Sequence, residues 1–267
     1  MILKDVLCKI ESKYPLALQY SWDNSGLNIG DENQEIKRIM LTLEITERAV
    51  DEAIEKDVDL IISHHPFLFS KINKINKSDI KGNLIYKLIS NSISVYCMHT
   101  SYDVAEDGLN DYFMNLMGIE TSEILEVEGK IDSYLGGESY GLGRVGRLDK
   151  PVSVEEFIQK LKSRLEIENV RYVGREGKNI ETVAVVTGSG AEFFEMAHKK
   201  GIDLLITGDM KYHQAMDAME MGMSVIDCGH YGSEHIFADS IKVFLKESLE
   251  NMEIIISENI INPFKEM

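Results

Sequence analysis

Two short apolar segments with nearly the same sequence constrain the fold of this chain more than any other feature. Residues 59–63 read DLIIS and residues 203–207 read DLLIT, and polar residues follow each run. Short runs rich in isoleucine and leucine are typical of parallel strands that are buried on both faces of a sheet. The pair therefore predicts a mainly parallel sheet in each half of the chain.

The segments around these two runs follow the same order in both halves. The strands are predicted at 39–43, 58–63 and 93–98 in the first half, and at 183–188, 202–207 and 223–228 in the second. The helices are predicted from about Thr46, near 82–91, near 190–200 and near 212–221. A shared β-α-β-α-β order favours internal duplication, although any α/β chain could show it by chance.

The predicted fold class is α/β, with two related α/β domains whose mixed, mainly parallel sheets are flanked by helices. Residues 254–256 are strand-like and could return to the first sheet. The predicted first domain comprises residues 1–126 and 231–267, and the predicted second domain comprises residues 127–230.

A glycine-rich segment separates the two halves. Residues 121–150 are interpreted as turns and short strands, and ESYGLGRVGRL (138–148) alternates well enough for an edge or hairpin strand. Ser153, with Glu156 three residues later, predicts the start of the next helix through a capping box.

Composition excludes several classes of protein. The 267 residues carry a formal net charge of -17 and show no basic run, which argues against nucleic acid as a partner. The first residues form an amphipathic pattern that differs from a signal peptide, and the apolar runs are too short to span a membrane. Three widely spaced cysteines imply no disulfide framework. We therefore expect a cytoplasmic protein.

Histidines and carboxylates gather where the predicted strands end. His64 and His65 follow one strand directly, and two later strand ends carry a histidine with a carboxylate four residues further on, namely His99 with Asp103 and His230 with Glu234. Open α/β sheets place their ligands at such ends. Imidazole and carboxylate together suit zinc, iron, manganese or nickel, whereas an isolated histidine there is more often only a hydrogen-bonded polar residue.

The two adjacent histidines favour a pair of metal ions. Neighbouring residues on an extended backbone point in different directions, so His64 and His65 fit one ion each better than one ion together. Carboxylates can bridge two ions about 3.5–4 Å apart. Just beyond the Gly208-Asp209 strand end, Lys211 and His213 are candidates for substrate contact.

Two further motifs leave alternatives open. The TGSG turn at 187–190 could hold an anion with its backbone N–H groups, or it could be a tight structural turn. The loop around Trp22 could line a pocket, or a buried tryptophan could anchor it as a turn.

Several motifs together resemble the Nif-three-like family, whose members are often named GTP cyclohydrolase 1 type 2 homologues. The matching motifs are SWDNSGLNIG (21–30), LTLEIT (41–46), DLIISHHPFLF (59–69), HTSYDVAEDGLND (99–111), TGSG (187–190), DLLITGDMKYH (203–213) and DCGHYGSEH (227–235). The chain differs from the usual family pattern at Glu44, where aspartate is common, and at Ala191, where glycine is common.

The resemblance implies a toroidal homohexamer with a dinuclear metal centre. The implied ligands of the two divalent ions are His64, His65, Asp103, His230 and Glu234, and the ions would be zinc, iron or manganese. His99 matches a motif histidine that lies near the metals. Glu44 is not one of the implied ligands, but it could alter the hydrogen bonds made to those ligands.

Two functional hypotheses follow. The first is a metal-dependent hydrolase that opens the ring of GTP with a metal-activated water, with His99, Lys211 and His213 as candidates for moving protons or contacting phosphate. Its partner would be a nucleotide or another phosphate-bearing small molecule. The second is a non-enzymatic metal-binding, metal-delivery or regulatory scaffold protein.

Overall fold

The computed structural model describes residues 1–130 and 139–265, which form alternating helices and strands. The helices are α1 (Leu3–Lys13), α2 (Glu47–Glu55), α3 (Ile80–Ser90), α4 (Thr100–Asp103), α5 (Leu109–Leu116), α6 (Val154–Arg164), α7 (Phe194–Lys199), α8 (Tyr212–Met221), α9 (His230–Glu234) and α10 (Phe237–Ser248). The strands are β1 (Gly26–Ile29), β2 (Arg38–Thr42), β3 (Leu60–Ser63), β4 (Ser94–Cys97), β5 (Glu120–Lys130), β6 (Ser139–Ser153), β7 (Arg171–Val173), β8 (Asn179–Val185), β9 (Leu204–Thr207), β10 (Ser224–Asp227) and β11 (Glu253–Ile256). Within those described ranges, no helix has the length and apolar character that crossing a membrane requires.

The chain divides into two compact units. Unit 1 consists of Met1–Tyr102 and Phe237–Ile261, and unit 2 consists of Asp103–Ile236 with the terminal residues from Asn262. The predicted domain boundaries after residues 126 and 230 differ from these bounds, because α5 and β5 pack with the sheet of unit 2. The assignment of folding domains therefore stays a prediction.

Unit 1 is built on a five-stranded sheet with the order β1-β4-β3-β2-β11. Strands β4, β3, β2 and β11 run parallel to one another, and β1 is antiparallel to β4. Every residue of β3 and β4 is buried, as the apolar sequence of these strands predicts. Thr46 accepts a hydrogen bond from the Ala49 N–H, so α2 begins where the sequence predicts it. The pairing of β11 with β2 confirms the predicted return of residues 254–256 to the first sheet.

Unit 2 is built on a six-stranded sheet with the order β5-β6-β8-β9-β10-β7. Strands β8, β9 and β10 are parallel, and the remaining pairs are antiparallel. The Ser153 side chain accepts a hydrogen bond from the Glu156 N–H at 3.2 Å, so α6 begins where the sequence predicts it. Both sheets are thus mixed and flanked by helices, which confirms the predicted fold class.

The glycine-rich segment differs from its prediction as turns and short strands. It forms β5, with 11 residues, and β6, with 15 residues, whereas residues 131–138 lie outside the described part. A Cβ atom on Gly141 would lie 2.0 Å from the carbonyl oxygen of Glu126, and one on Gly146 would lie 2.5 Å from that of Glu120. These glycines therefore allow close approach of the neighbouring strand rather than turns. Because β6 lies between β5 and β8, the edge-strand alternative is wrong.

The two units share an arrangement of four strands. In each, an antiparallel strand lies beside the last of three parallel strands that are consecutive in the chain, β1 beside β4 after β2 and β3, and β7 beside β10 after β8 and β9. The Asp59 carboxylate accepts hydrogen bonds from two consecutive backbone N–H groups at the start of β2. The Asp203 carboxylate does the same for two consecutive N–H groups of β8. Because these aspartates open the matched segments DLIIS and DLLIT, the shared hydrogen bonds support internal duplication.

Candidate metal centre

Three histidines of unit 1 meet where two neighbouring parallel strands end. His64 and His65 follow β3, and His99 follows β4 after a single residue. The register pairs Ser63 with Cys97, so the two strands end side by side. Parallel strands bring their carboxyl ends to one edge of the sheet, which places the three imidazoles together.

These three residues, here called the histidine triad, have closely spaced rings. The ring centroid of His64 lies 5.0 Å from that of His65 and 5.4 Å from that of His99, and the last two are 5.7 Å apart. One nitrogen from each residue lies within 4.8 Å of the corresponding nitrogen of the other two. That spacing is suitable for nitrogens that surround bound cations.

Each imidazole of the histidine triad is anchored through Nδ1. The Nδ1 atom of His64 lies 2.8 Å from the backbone oxygen of Met98, and that of His65 lies 2.6 Å from Glu44 Oε1. The Nδ1 atom of His99 lies 2.8 Å from Asp23 Oδ1. Carbonyl and carboxylate oxygens accept, so a proton is assigned to Nδ1 of each ring. Metal-ligating histidines in proteins usually have this arrangement.

Asp23 links the loop before β1 to the end of β4. Its carboxylate also accepts hydrogen bonds from the Thr100 N–H at 3.1 Å and from the Ser25 hydroxyl at 2.8 Å. Burial alone would raise the pKa of Asp23, but the hydrogen bonds from His99, Thr100 and Ser25 outweigh it and hold the pKa well below its usual range. Asp23 is therefore an anion that orients the His99 ring.

Unit 2 carries two further side chains that could hold a metal ion, on the short helix α9. The Nε2 atom of His230 lies 2.9 Å from Glu234 Oε2, four residues further along the helix. The Nδ1 atom of His230 lies 2.7 Å from Asp209 Oδ2. Asp209 follows β9 with a positive φ of 56°, a conformation that is uncommon outside glycine. The anchored imidazole and the buried carboxylate of Glu234 again fit a divalent cation.

The TGSG turn lies beside Glu234. The backbone N–H of Thr187 donates to Asn110, that of Gly188 donates to Ser233 at 2.9 Å, and that of Gly190 donates to Thr207 at 3.0 Å. These three N–H groups are thus used within the protein, which favours a structural turn over an anion cradle. A Cβ atom on Gly188 would lie 2.1 Å from Glu234 Oε1, so the turn needs glycine there.

The remaining predicted site residues lie in unit 2. Asp103 is buried, and its backbone oxygen accepts a hydrogen bond from Asn110 Nδ2 at 3.0 Å. Arg144 donates to the carbonyls of Val104 and Ala105, which fixes the chain just after Asp103.

The two catalytic candidates near α8 are exposed. Lys211 precedes the helix, and His213 lies in its first turn with its ring 5.3 Å from that of Tyr212. Neither forms part of the histidine triad, so a role for these two side chains in proton transfer or phosphate contact stays a prediction.

The structure brings together His64, His65 and His99 in unit 1, and His230 with Glu234 in unit 2. Sequence reasoning missed the roles of Asp23 and Asp209, which orient histidines from distant positions in the chain. The sequence indicates these roles only weakly, because both aspartates lie in polar segments next to predicted strands.

The fold and these side chains define a class of α/β protein with a repeated unit and histidine–carboxylate clusters that could hold metal ions. The Duf34/NIF3 (NGG1p interacting factor 3) family model matches residues 1–263. The chain therefore belongs to this family, which confirms the resemblance seen in the sequence motifs.

Curated relatives match the chain over nearly its whole length. A GTP cyclohydrolase 1 type 2 homolog of Clostridium acetobutylicum is 39% identical over 267 residues, with 98% of each chain covered. A protein with the same name from Clostridium perfringens is 38% identical, with 99% of each chain covered.

Solved structures match equally broadly. Staphylococcus aureus protein SA1388 superposes with a TM-score of 0.93 at 29% identity, covering 100% of this chain and 99% of that chain. Reduced HcgD from Methanocaldococcus jannaschii gives a TM-score of 0.82 at 29% identity, covering 97% and 98%.

Proposed function

We propose that this protein binds two divalent transition-metal ions and uses them in hydrolysis. The proposed ligands are His64, His65, Asp103, His230 and Glu234, and the ions are zinc, iron or manganese. The observation that carries the proposal is the histidine triad, in which His64 and His65 are held through Nδ1 in the orientation that metal-ligating histidines have, with His99 held in the same way beside them.

Two ions fit the donor set better than one. His64 and His65 are adjacent, their rings are tilted by 45°, and separate oxygens anchor them. Each can therefore serve a different ion, and the carboxylates of Asp103 and Glu234 are of the kind that bridges a pair. The absence of cysteine from the donor set favours zinc, iron or manganese over copper(I).

The proposed reaction is hydrolytic opening of the imidazole ring of GTP. Bound divalent ions supply Lewis-acid polarisation and a water of lowered pKa. The Asp23 carboxylate keeps Nδ1 of His99 protonated, so Nε2 of His99 can accept a proton from water. Lys211 and His213 are exposed side chains suited to contacting phosphate. The names of the curated relatives support GTP as the first substrate to test.

Self-association belongs to the same proposal. The family resemblance implies a toroidal homohexamer, and we expect purified protein to have the mass of six chains. Light scattering during size-exclusion chromatography measures this mass directly, and a monomeric mass under all metal conditions would contradict the hexamer.

The ligand assignment is tested by elemental analysis of purified protein. We expect close to two transition-metal ions per chain, and loss of most of this metal in the double variant His65→Ala, Glu234→Ala. The matched control is His198→Ala, which removes an exposed histidine of α7 and should leave the metal content unchanged. Full metal content in the double variant would rule out these ligands.

The enzymatic part is tested separately. GTP incubated with metal-loaded protein should yield formate or a ring-opened product, detected by chromatography. If zinc-, iron- and manganese-loaded samples all show no turnover at high protein concentration, the non-enzymatic metal-binding or scaffold function replaces the hydrolase.

A further inference from the structure

Exposed aromatic rings border the histidine triad within unit 1. Trp22 is 59% exposed and Phe69 is 55% exposed, and their ring centroids lie 6.2 Å apart with the planes at 73°. The His99 ring lies 5.9 Å from Trp22 and 6.5 Å from Phe69. Large apolar groups that stay exposed side by side usually mark a binding surface, because burying them would stabilise the fold.

The indole of Trp22 is already supported on one side. Tyr20 stacks on it with the ring centroids 5.6 Å apart and the planes at 13°. Although Tyr20 stacks on one face, 59% of Trp22 remains exposed, so a large part of the indole is accessible to a ligand. The alternative of a buried tryptophan that anchors a turn is therefore wrong.

Hydrogen bonds fix the residues next to the two exposed rings. Asn24 Nδ2 donates to the Leu68 carbonyl at 2.7 Å, and the Leu68 N–H donates to Asn28 Oδ1 at 2.9 Å. Asp23, next to Trp22, is bonded to His99. Trp22 and Phe69 each neighbour a hydrogen-bonded residue, so the local backbone is already restrained before a ligand binds.

We infer that Trp22 and Phe69 form a stacking subsite for a planar heteroaromatic ring, such as a nucleobase, beside the histidine triad. Flat heterocycles stack on aromatic side chains whatever their substituents, whereas aliphatic phosphates offer no π face. The inference rests on the proposed function, because Trp22 and Phe69 would bind the ring of the substrate whose hydrolysis is proposed. Trp22 and Phe69 thus determine specificity by selecting ring-bearing substrates.

Trp22 is the only tryptophan of the chain, so its fluorescence reports on this subsite alone. Metal-free and metal-loaded protein are titrated with GTP, ATP and UTP, and with tripolyphosphate as a probe that lacks a ring. We expect saturable quenching by at least one nucleotide, in both forms of the protein, and none by tripolyphosphate. Absence of saturable binding by all three nucleotides would overturn the inference.

Variants test the stacking contact by calorimetry, which does not depend on the fluorophore. Trp22→Ala and Phe69→Ala should each weaken nucleotide binding by about tenfold, and Trp22→Phe should restore most of the affinity. The matched control is Phe264→Ala, which removes another exposed phenylalanine and should leave affinity unchanged. Circular dichroism verifies that each variant is folded.

The outcomes separate the inference from the proposed function. Nucleotide binding that needs Trp22 but gives no turnover supports the stacking subsite and rejects the hydrolase. Turnover with the same KM in Trp22→Ala and in the unmodified protein rejects the stacking subsite and leaves the hydrolase in place.

Discussion

Each histidine of the triad is anchored through Nδ1 to an oxygen of the protein. The three oxygens come from a backbone carbonyl, from Glu44 and from Asp23. Glu44, where the family commonly has aspartate, is the direct partner of His65. The longer side chain at this position thus forms a hydrogen bond with a proposed ligand. Hydrogen bonding of this kind is what the resemblance to the family leads us to expect of Glu44.

Gly188 gives a prediction at the scale of one residue. Gly188→Ala should lower metal binding by His230 and Glu234, because the new Cβ atom would displace Glu234 Oε1. A positive φ of 66° adds a backbone cost of roughly 1–2 kcal/mol. Elemental analysis and denaturant unfolding measure the two effects separately.

Gly177→Ala is the matched control for this substitution. Gly177 has a φ of 67°, and nothing lies within 4 Å of the position of its Cβ atom. The control should therefore lose similar stability but keep its metal. Equal metal content in both variants would contradict the proposed contact between the turn and the ligand.

At the scale of elements, one buried carboxylate joins a helix to a distant strand. Glu52 of α2 accepts hydrogen bonds from the Ser257 hydroxyl at 2.6 Å and from Asn259 Nδ2 at 2.8 Å, both just after β11. Its Oε1 atom pairs with Lys56 Nζ at 2.8 Å. Burial would raise the pKa of Glu52, but these hydrogen bonds lower it to about 2. A group of hydrogen bonds and an ion pair, all centred on Glu52, thus lies beside the pairing of β11 with β2.

The low pKa of Glu52 predicts a pH dependence of stability. The carboxylate is ionised in the folded and the unfolded chain above pH 4.5, so its full contribution, on the order of 3 kcal/mol, is present there. As the pH falls from 4.5 to about 2, the unfolded chain takes up the proton first and the contribution is lost. The difference in unfolding free energy between the unmodified protein and Glu52→Gln should shrink over this range.

Urea unfolding at a series of pH values measures this difference. Glu55→Gln, on the exposed side of the same helix, is the control and should show a small difference that varies little with pH. If the difference in unfolding free energy between the unmodified protein and Glu52→Gln stays constant between pH 5 and about 2, the ionised Glu52 carboxylate does not stabilise the fold.

At the scale of the whole molecule, two units that share an arrangement of four strands carry different chemistry at matching strand ends. Strand β3 is followed by His64 and His65, and the equivalent strand β9 is followed by Gly208 and Asp209. Unit 1 thus carries three imidazoles after its strands, and unit 2 carries one imidazole together with carboxylates. The formal net charge of -17 also favours cations over anions near the protein surface.

Metal binding should therefore stabilise the entire chain. A ligand that binds only the folded state adds about 2.7 kcal/mol when its concentration is a hundred times its Kd. We expect the melting temperature to rise by several degrees on metal addition and to fall again on dialysis against a chelator. Differential scanning calorimetry measures this change, and the double variant His65→Ala, Glu234→Ala should show a much smaller one.

The sequence by itself determined the alternating strands and helices, the mixed sheets and the histidines at strand ends. These features follow from local patterns, because buried parallel strands need short apolar runs and helix starts need capping residues such as Thr46 and Ser153. The same patterns failed for β5 and β6, whose glycines resemble turn residues but accommodate a neighbouring backbone.

Only the tertiary structure determines which side chains anchor the histidines of the candidate site. Asp23 reaches His99 across 76 positions of sequence, and Glu44 and Asp209 each reach a histidine across 21. No local pattern encodes such pairs, because they depend on which strand ends the sheet brings side by side. The sequence does not predict the exposure of Trp22 for the same reason. Burial of one aromatic ring depends on which other residues of the folded chain pack against it.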